Sequence, residues 1–496
     1  MMKIAYKILP LTALIFALLS APLVLRADDK TSADTFVKYA PVTLNIDLKS
    51  HGKEIPANFS GLSFETGSLR PGNAGTKGHF FDENSKQGLN LFGQMGIKSL
   101  RVGGGAVDFN KTAPTNADID ALFAFAKAAN VKVIYSLRLL NGNAAENVDI
   151  AKYIWSKYLP LLDGFSIGNE PDWNSYHKQD PEITDYPSYL SKWRRFAAAV
   201  VKAIPAAKFS GPNTGSNYPV PEAKSTNYNG KSWTVNFAND EKNSGLISFI
   251  AQHNYVGQSA DGRTINDVID NMLSPDWTRK QYPALYETNL EPVIADGFAY
   301  RLAESNSFSG QVDGGSNSFA TALFGLDYMH WWAEHNCLGV NFHNKQWVKN
   351  APIFMDQQKN YQLNPLGYGI TAFNLGGHGS VQPITVANGA NVNLTAYAVK
   401  GKDTLYVTVI NKEHGNGAQA ANVSIKALGI KGRAKAVFLT ANGNAAATSG
   451  ITLGGVTINN DTPWAGKWVP VVTDNKGNYT VKVQATSAVI IKIPTK

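Results

Sequence analysis

LDGFSIGNEPD, residues 162–172, is the segment from which the architecture of this chain is most readily inferred. Its first residues are apolar and β-prone, which predicts a buried strand, and a polar run from Asn169 to Asp172 follows at the carboxyl end. Pro171 cannot donate to a strand ladder, so the strand stops there. Because an α/β barrel keeps its reactive groups at this end of its strands, Glu170 is a candidate catalytic acid. The alternative is that Glu170 only caps a turn.

Short apolar segments on both sides of this strand alternate with amphipathic helical segments. We predict eight strands, at residues 59–65, 97–104, 131–137, 162–170, 208–213, 247–255, 300–306 and 337–343. The helical segments between them include residues 118–129, 145–158, 189–204 and 316–334. Eight such units predict an α/β fold, a (β/α)8 TIM barrel.

The predicted strand ends carry polar side chains as a set. They are Glu65, Arg101, Arg138, Glu170, Asn213, His253 with Tyr255, Glu304 and His343. One polar strand end is ordinary turn chemistry, but a polar group at every end would line a single mouth. The pattern therefore predicts a substrate site at the carboxyl face of the barrel.

After Gly376 the chain changes to short alternating strands separated by Gly, Asn and Asp turns, which predicts a C-terminal β-sandwich. Its strands are predicted at residues 392–399, 404–410, 423–425, 435–439, 479–484 and 488–493. An alternating segment at residues 42–48 precedes the barrel and is expected to pair with the sandwich. The predicted division is an N-terminal segment at 28–55, a catalytic barrel at 56–375 and the sandwich at 376–496. We favour a bracing role for the sandwich over carbohydrate binding, because no exposed aromatic triplet suggests a sugar platform.

Residues 1–27 are predicted to be a signal peptide. Lys3 and Lys7 precede a long apolar run, and small residues lie near a plausible cleavage edge at Arg26-Ala27. A retained membrane anchor is the alternative, because the apolar run is long. We expect an exported protein, periplasmic or extracellular, with no membrane association after cleavage.

The net charge and the cysteine count limit the classes of partner and of site that this chain can have. The formal net charge is +8, and no block of Lys and Arg tracks along the chain, so no nucleic-acid partner is expected. A mildly basic balance would favour an acidic polysaccharide. Cys337 is the only cysteine, which excludes intrachain disulfides and cysteine metal clusters.

A second acidic strand end lies far downstream, in YRLAESN at residues 300–306, where Glu304 follows an apolar run. Glu170 and Glu304 fall on the fourth and seventh predicted barrel strands, whose ends can face each other. Two such carboxylates suit glycosidic bond cleavage, in which one protonates the leaving oxygen and the other attacks the sugar carbon. Mutual repulsion would raise the pKa of the acid.

Two other chemistries would use the same kinds of residues. A metal site could use Glu65, Glu170, Glu304, His253 and His343, but the HExxH and paired-His spacings are absent. A serine hydrolase would need a GxSxG elbow, and none occurs. We therefore expect neither a metal nor a cofactor.

Six motifs together resemble glycoside hydrolase family 79. They are FSGLSFET at 59–66, SLRVGG at 99–104, IGNEPD at 167–172, FSGPNT at 209–214, YRLAESNS at 300–307 and GVNFH at 339–343. That family holds β-glucuronidases and heparanase, on a clan A (β/α)8 barrel with an appended β-domain. The resemblance covers essentially the whole chain after residue 27, and it implies Glu170 as acid/base and Glu304 as nucleophile.

The same resemblance implies several substrate contacts. Glu65 and Asn169 would contact sugar hydroxyls, and Tyr255 would lie near the nucleophile. Asn306, the amide at the end of the Glu304 strand, joins these candidates. The alternatives are a turn carboxylate for Glu65 and a half-buried core tyrosine for Tyr255.

The departures from the family concern the substrate carboxylate. The family's glucuronidases have a tyrosine five residues after the nucleophile, where this chain has Ser309. A further tyrosine is missing from the loop NKQWVKNAP at 344–352. Gly310, with Lys345 or Lys349, could replace this carboxylate clamp by an ionic contact. Alternatively, the lysines are solvated loop charges, and the substrate is a neutral or modified sugar such as a 4-O-methylated glucuronate.

The sequence thus predicts an exported, retaining β-glycoside hydrolase of the β-glucuronidase type that cleaves β-linked uronic acids from glycosides or polysaccharides. A clan A β-glycosidase for a neutral sugar is the alternative among enzymes. A catalytically idle carbohydrate-binding protein is the alternative outside enzymes, although it would have no reason to keep both Glu170 and Glu304.

Overall fold

The computed structural model describes residues 39–72, 78–173, 178–215, 227–345, 348–356, 358, 360–427, 429–430 and 432–495. The predicted signal peptide therefore lies outside the described residues. Within these ranges, no helix has both the length and the apolar character that a membrane span needs.

The strands are short and numerous, as the sequence pattern indicates. The chain up to Leu363 contains β1 Ala40–Ile46, β2 Ser60–Glu65, β3 Ser99–Gly103, β4 Lys132–Leu137, β5 Leu162–Ile167, β6 Phe209–Thr214, β7 Asn227–Tyr228, β8 Lys231–Ser232, β9 Ile247–Tyr255, β10 Tyr300–Asn306, β11 Val340–His343, β12 Ile353–Met355 and β13 Tyr361–Leu363. The C-terminal region contains β14 Ser380–Gln382, β15 Ile384–Ala387, β16 Leu394–Lys400, β17 Thr404–Asn411, β18 Ala421–Ala427, β19 Lys435–Thr440, β20 Thr452–Leu453, β21 Val469–Pro470, β22 Val472–Thr473, β23 Tyr479–Val483 and β24 Ser487–Pro494.

The α-helices lie mainly between the barrel strands. They are α1 Lys86–Gln94, α2 Ala106–Phe109, α3 Asn116–Ala129, α4 Ala144–Tyr158, α5 Tyr186–Ala203, α6 Trp233–Glu241, α7 Ile265–Met272, α8 Tyr282–Leu285, α9 Glu291–Ala295, α10 Phe319–Glu334 and α11 Pro365–Gly376. Two π-helical segments, Trp277–Gln281 and Tyr286–Leu290, flank α8. The helix α3 begins with a capping box between Thr115 and Asp118, which satisfies two donors of its first turn.

Eight parallel strands close into a barrel in the order β2, β3, β4, β5, β6, β9, β10, β11 and back to β2. Helices cover the outside, so these strands are buried on both faces and read as nearly continuous apolar runs. All seven residues of β10, for example, are buried. The predicted TIM barrel is confirmed.

Several predicted boundaries were wrong by a few residues. The fourth barrel strand was predicted to reach Glu170, but β5 ends at Ile167, because Gly168 takes a positive φ of 82° that leaves the strand conformation. The eighth strand begins at Val340, so Cys337 precedes it and is buried in the turn before β11.

The C-terminal region is antiparallel apart from one pairing and forms two packed sheets, as predicted. One sheet has the order β15-β1-β18-β23-β22, and the other has the order β14-β16-β17-β24-β19-β20 with β21 beside β19. The strand β1 runs parallel to β18 and antiparallel to β15. Apolar residues of both sheets, such as Leu44, Val407, Val423, Val481 and Ile491, form the core between them.

The barrel and the sandwich meet across α10 and α11. Nearly every residue of both helices is buried, which is why neither shows a polar face in the sequence. His330 of α10 stacks on Tyr397 of β16, with ring centroids 4.9 Å apart. Close by, Asp327 forms a buried ion pair with Lys412, with Oδ2 2.7 Å from Nζ.

Candidate active site

Glu304 lies near the carboxyl end of β10, and its side chain is almost completely buried in the mouth of the barrel. Three strands, β2, β3 and β9, supply its partners. Arg101 Nη1 lies 2.5 Å from Glu304 Oε2, and Ser63 Oγ lies 3.4 Å from the same oxygen. On the other side, the Tyr255 hydroxyl donates to Glu304 Oε1 over 2.7 Å. The carboxylate is therefore held at both oxygens.

These partners favour the charged form of Glu304. Burial alone would raise the pKa of Glu304, but the neighbouring His343 and Arg101 charges outweigh it and hold the pKa well below its usual value. The hydrogen bond from Tyr255 lowers it further. Burial and Glu304 itself raise the pKa of Tyr255, so this residue stays a neutral donor. Glu304 is an ionised, oriented carboxylate.

Glu170 lies in the turn after β5, with a left-handed backbone φ of 50°. The turn is fixed by a hydrogen bond from the Glu170 amide to the Asn213 carbonyl oxygen, 2.8 Å apart. The Glu170 side chain meets His253 of β9, with Oε1 3.0 Å from Nδ1. A non-glycine residue in this conformation is uncommon and clusters at functional sites.

The surroundings of Glu170 favour its protonated form. Burial and the nearby carboxylates of Glu304 and Asp172 raise the pKa of Glu170 well above its usual value. Burial lowers the pKa of His253 to about 3, so its imidazole is neutral at ordinary pH. The two candidate carboxylates thus have pKa values displaced in opposite directions, which is the arrangement that separates an acid from a nucleophile.

One oxygen each of Glu170 and Glu304 and one nitrogen of His253 lie within 4.8 Å of one another. Such a group could hold a metal ion in principle. However, the Arg101 guanidinium already forms an ion pair with Glu304, with Nη1 2.5 Å from Oε2. Its positive charge would repel a divalent metal ion bound to the same carboxylate. The same spacing suits two carboxylates on either side of one glycosidic bond.

A second polar group lies beside the Glu304 carboxylate. The Tyr255 hydroxyl is 2.9 Å from His343 Nδ1, and His343 Nε2 is 3.6 Å from Glu65 Oε1. Glu65 Oε2 accepts from the backbone N–H of Ala106, and Lys345 Nζ lies 3.5 Å from Oε1. Burial opposes the charge of His343, but Glu304 and Glu65 raise its pKa.

Asn169 is placed between two anchors. Its side-chain Oδ1 accepts from Arg101 Nη2 over 2.8 Å, and its backbone N–H donates to Asp108 Oδ2 over 2.9 Å. Asp108 is fully buried and also accepts from the N–H groups of Leu139 and Leu140. Asp108 therefore ties the loops after β4 and β5 together and sets the position of Asn169.

The other predicted substrate-binding residues, Asn306, Gly310 and Lys345, have different surroundings. The Asn306 carboxamide is used by backbone groups, accepting from the Ser307 N–H and donating to the Asn350 carbonyl oxygen, which favours a role in holding the loop. A side chain at Gly310 would meet the carboxylate of Asp261. Lys349 pairs with Asp313, with Nζ 3.0 Å from Oδ2, whereas Lys345 reaches Glu65.

Five residues of this site were not among the sequence-predicted site residues: Ser63, Arg101, Asp108, His253 and His343. Arg101 was noted only as a polar strand end, whereas His253 and His343 were noted both as strand ends and as possible metal ligands. Ser63 and Arg101 lie before the strand ends, inside barrel strands, where side chains alternate between barrel and helix layers. A charged residue within an otherwise apolar strand was the available signal, because burial of Arg101 requires a partner. Asp108 could not be found this way, since its partners are backbone N–H groups.

The comparisons with known proteins agree with this architecture. Residues 396–490 match the family model described as the glycosyl hydrolase family 79 C-terminal beta domain. This match supports the family resemblance drawn from the six motifs. A search of curated proteins found no relative by sequence.

Solved structures of glycoside hydrolases share the fold. A 4-O-alpha-L-rhamnosyl-beta-D-glucuronidase from Fusarium oxysporum 12S is 15% identical with a TM-score of 0.69, covering 92% of this chain and 99% of the other. A family 51 alpha-L-arabinofuranosidase from Bifidobacterium longum is 13% identical with a TM-score of 0.66, covering 92% and 100%. A family 44 endoglucanase from Clostridium acetobutylium ATCC 824 is 15% identical with a TM-score of 0.62, with the same coverage. The chain therefore shares its fold with these glycoside hydrolases.

Proposed function

We propose that this protein is a retaining β-glycoside hydrolase, with Glu170 as acid/base and Glu304 as nucleophile. The observation that carries the proposal is the pair itself. The two carboxylates approach within 4.8 Å, and their pKa values are displaced in opposite directions. Carboxyl groups about 5–5.5 Å apart act by double displacement, whereas inverting enzymes leave room for a water between them.

In the first step, Glu304 attacks the anomeric carbon while protonated Glu170 gives its proton to the leaving oxygen. A covalent glycosyl-enzyme ester forms at Glu304 and the leaving group departs as an alcohol. In the second step, Glu170 accepts a proton from water, which attacks the same carbon and releases the sugar with Glu304 regenerated. Arg101 and Tyr255 would hold the nucleophile, and Asn169 would bond a sugar hydroxyl.

We further propose a β-linked uronic acid as the substrate, so the enzyme is of the β-glucuronidase type. Lys345 supports this choice, because its Nζ lies beside Glu65 at the mouth and can meet a substrate carboxylate. The family match and the glucuronidase among the structural relatives point the same way. Gly310 is a poorer candidate for the carboxylate contact, since the Asp261 carboxylate is close to it.

A neutral sugar is the second candidate substrate. The observation that favours it is that Glu65 lies 3.5 Å from Lys345 and already balances the lysine charge. Glu65 would then hold a sugar hydroxyl, with Lys345 only neutralising it. Both candidates keep the same two catalytic carboxylates.

A panel of 4-nitrophenyl β-glycosides separates the candidates. Protein lacking residues 1–27 is assayed on the β-glucuronide, β-glucoside, β-xyloside and β-galactoside, with Glu304→Gln as the inactive control. We expect the β-glucuronide to dominate, and Lys345→Ala to raise its KM without affecting the neutral glycosides. Lys349→Ala is the matched control on the same loop, because Asp313 already pairs it. If a neutral glycoside is cleaved fastest, the proposed uronic acid substrate is wrong. If no glycoside is cleaved, the proposed hydrolase activity is wrong.

A further inference from the structure

Trp173 is an unusually exposed aromatic residue beside the proposed acid. Its side chain is 52% exposed, although large aromatic side chains are normally well buried. It directly follows the NEPD turn, and its backbone N–H donates to the Glu170 carbonyl oxygen over 3.2 Å. Isolated exposed hydrophobic residues are common and by themselves indicate no function, so what matters for Trp173 is its position relative to Glu170.

Gly215 links the Trp173 indole to the acid. A side chain built at Gly215 would collide with Trp173 Nε1, and it would also come within 2.8 Å of Glu170 Cδ and 2.9 Å of Glu170 Cγ. The indole edge and the acid side chain therefore share the space above one glycine. The Gly215 N–H donates to Asp172 Oδ1 over 2.9 Å, which holds the two loops together.

The proposed role of Glu170 as acid determines which part of the substrate lies next to it. Glu170 must reach the glycosidic oxygen, so the group that leaves with this oxygen lies on the Glu170 side of the cleaved bond. The glycone lies on the other side, over Glu304, Tyr255 and Asn169. An exposed indole that shares a glycine with Glu170 is thus on the leaving-group side.

We propose that Trp173 binds the leaving group of the substrate by stacking against the apolar face of its ring. The ring is either a sugar or an aryl group, because both present a flat C–H or π face to an indole. This inference rests on the proposed hydrolase and adds the aglycone contact to it. Trp173 would be a specificity-determining residue, since it touches the group that departs and none of the atoms that react.

The test uses three substrates with one glycone, the best one from the panel, and three leaving groups. These are the glycosyl fluoride, which has no ring, the 4-nitrophenyl glycoside, and a β-linked disaccharide. The value of kcat/KM reports the step in which the leaving group departs. We expect Trp173→Ala to lower it about tenfold on the two ring substrates and to leave the fluoride unchanged. A loss on only one ring substrate would identify that ring as the one that Trp173 binds.

Two variants serve as controls. Trp173→Phe keeps an aromatic face and should retain most of the wild-type rate. Leu159→Ala removes a comparably exposed apolar side chain, 44% exposed, at the opposite end of β5, and should behave as wild type on all three substrates. Circular dichroism and thermal unfolding establish that each variant is folded.

Equal losses on all three substrates would overturn the inference, because they would mean that Trp173 only holds Glu170 in place. Unchanged kcat/KM on both ring substrates would also overturn it. Either result would leave the hydrolase intact. A wild-type protein that cleaves none of the glycosides would instead remove the proposed function, and the aglycone contact with it.

Discussion

At the scale of single residues, Glu170 and Glu304 are the same chemical group in two environments. Glu304 meets an arginine and a tyrosine hydroxyl, while Glu170 meets a neutral histidine and two other carboxylates. This difference is what the proposed roles of acid and nucleophile require. Because of this difference, substitutions of the two side chains should have different kinetic effects.

Replacing Glu170 should affect substrates according to their leaving groups. We expect Glu170→Ala to lower kcat/KM by roughly 10²–10⁴-fold on substrates with a poor leaving group, the range of general acid catalysis. Activated aryl glycosides, which depart with little protonation, should lose far less. Rates measured along a series of aryl leaving groups give the slope, and an unchanged slope would mean that Glu170 is not the acid.

Replacing Tyr255 should change the pH profile of kcat/KM. Glu304 must be ionised, so activity falls as the pH drops through its pKa, and it falls again as the pH rises through the raised pKa of Glu170. Tyr255→Phe removes a hydrogen bond that lowers the pKa of Glu304. The acid limb should therefore move to higher pH, while the alkaline limb stays in place. A shift of the alkaline limb alone would contradict this assignment.

At the scale of elements, the sequence was sufficient to place all eight barrel strands because strands buried on both faces are continuous apolar runs. The carboxyl end of β5 was predicted less accurately, at Glu170 instead of Ile167. The left-handed φ at Gly168 and at Glu170 ends β5 early, and such a turn leaves little trace in composition. The side chains that orient Glu304 were missed for a related reason. Ser63 and Arg101 meet it across strands that are distant in sequence, and only the barrel register brings them together.

The turn after β6 is predicted to be intolerant of any side chain at Gly215. In Gly215→Ala the new methyl group would push against the Glu170 side chain and the Trp173 indole, so activity should fall at least tenfold through displacement of the acid. Gly93→Ala is the matched control, because a side chain there meets nothing within 4 Å and the site is in helix α1. That variant should keep full activity and gain about 0.5–1 kcal/mol of stability. Steady-state kinetics with thermal unfolding distinguishes these outcomes, and a fully active Gly215→Ala would contradict the packing described.

At the scale of the whole molecule, Asp327 joins the barrel to the sandwich. It accepts from Thr395 Oγ1, Tyr397 Oη and Lys412 Nζ, at 2.6, 2.7 and 2.7 Å, and is almost completely buried. These contacts join helix α10 to β16 and to the residue after β17. Because the ion pair excludes solvent, it is strongly coupled to the packing of both parts.

Removing one member of this pair should destabilise the protein markedly. Asp327→Ala leaves the Lys412 charge buried without its partner, and we expect the free energy of unfolding to fall by about 3–5 kcal/mol. Asp276→Ala breaks an exposed pair with Lys280 and should cost less than about 1 kcal/mol. Urea unfolding of the two variants and the wild type provides the comparison. Equal losses would mean that the buried pair does not hold the parts together.

The position of β1 determines the order in which the chain can fold. This strand is synthesised first among the described elements, but its partners β15 and β18 begin only at Ile384 and Ala421. During synthesis the barrel strands emerge before either partner exists, so the barrel can close while β1 is still an unpaired edge. A nascent chain stopped after β11 would carry that edge exposed. The first strand of the described chain to be synthesised is thus among the last to pair with its neighbours.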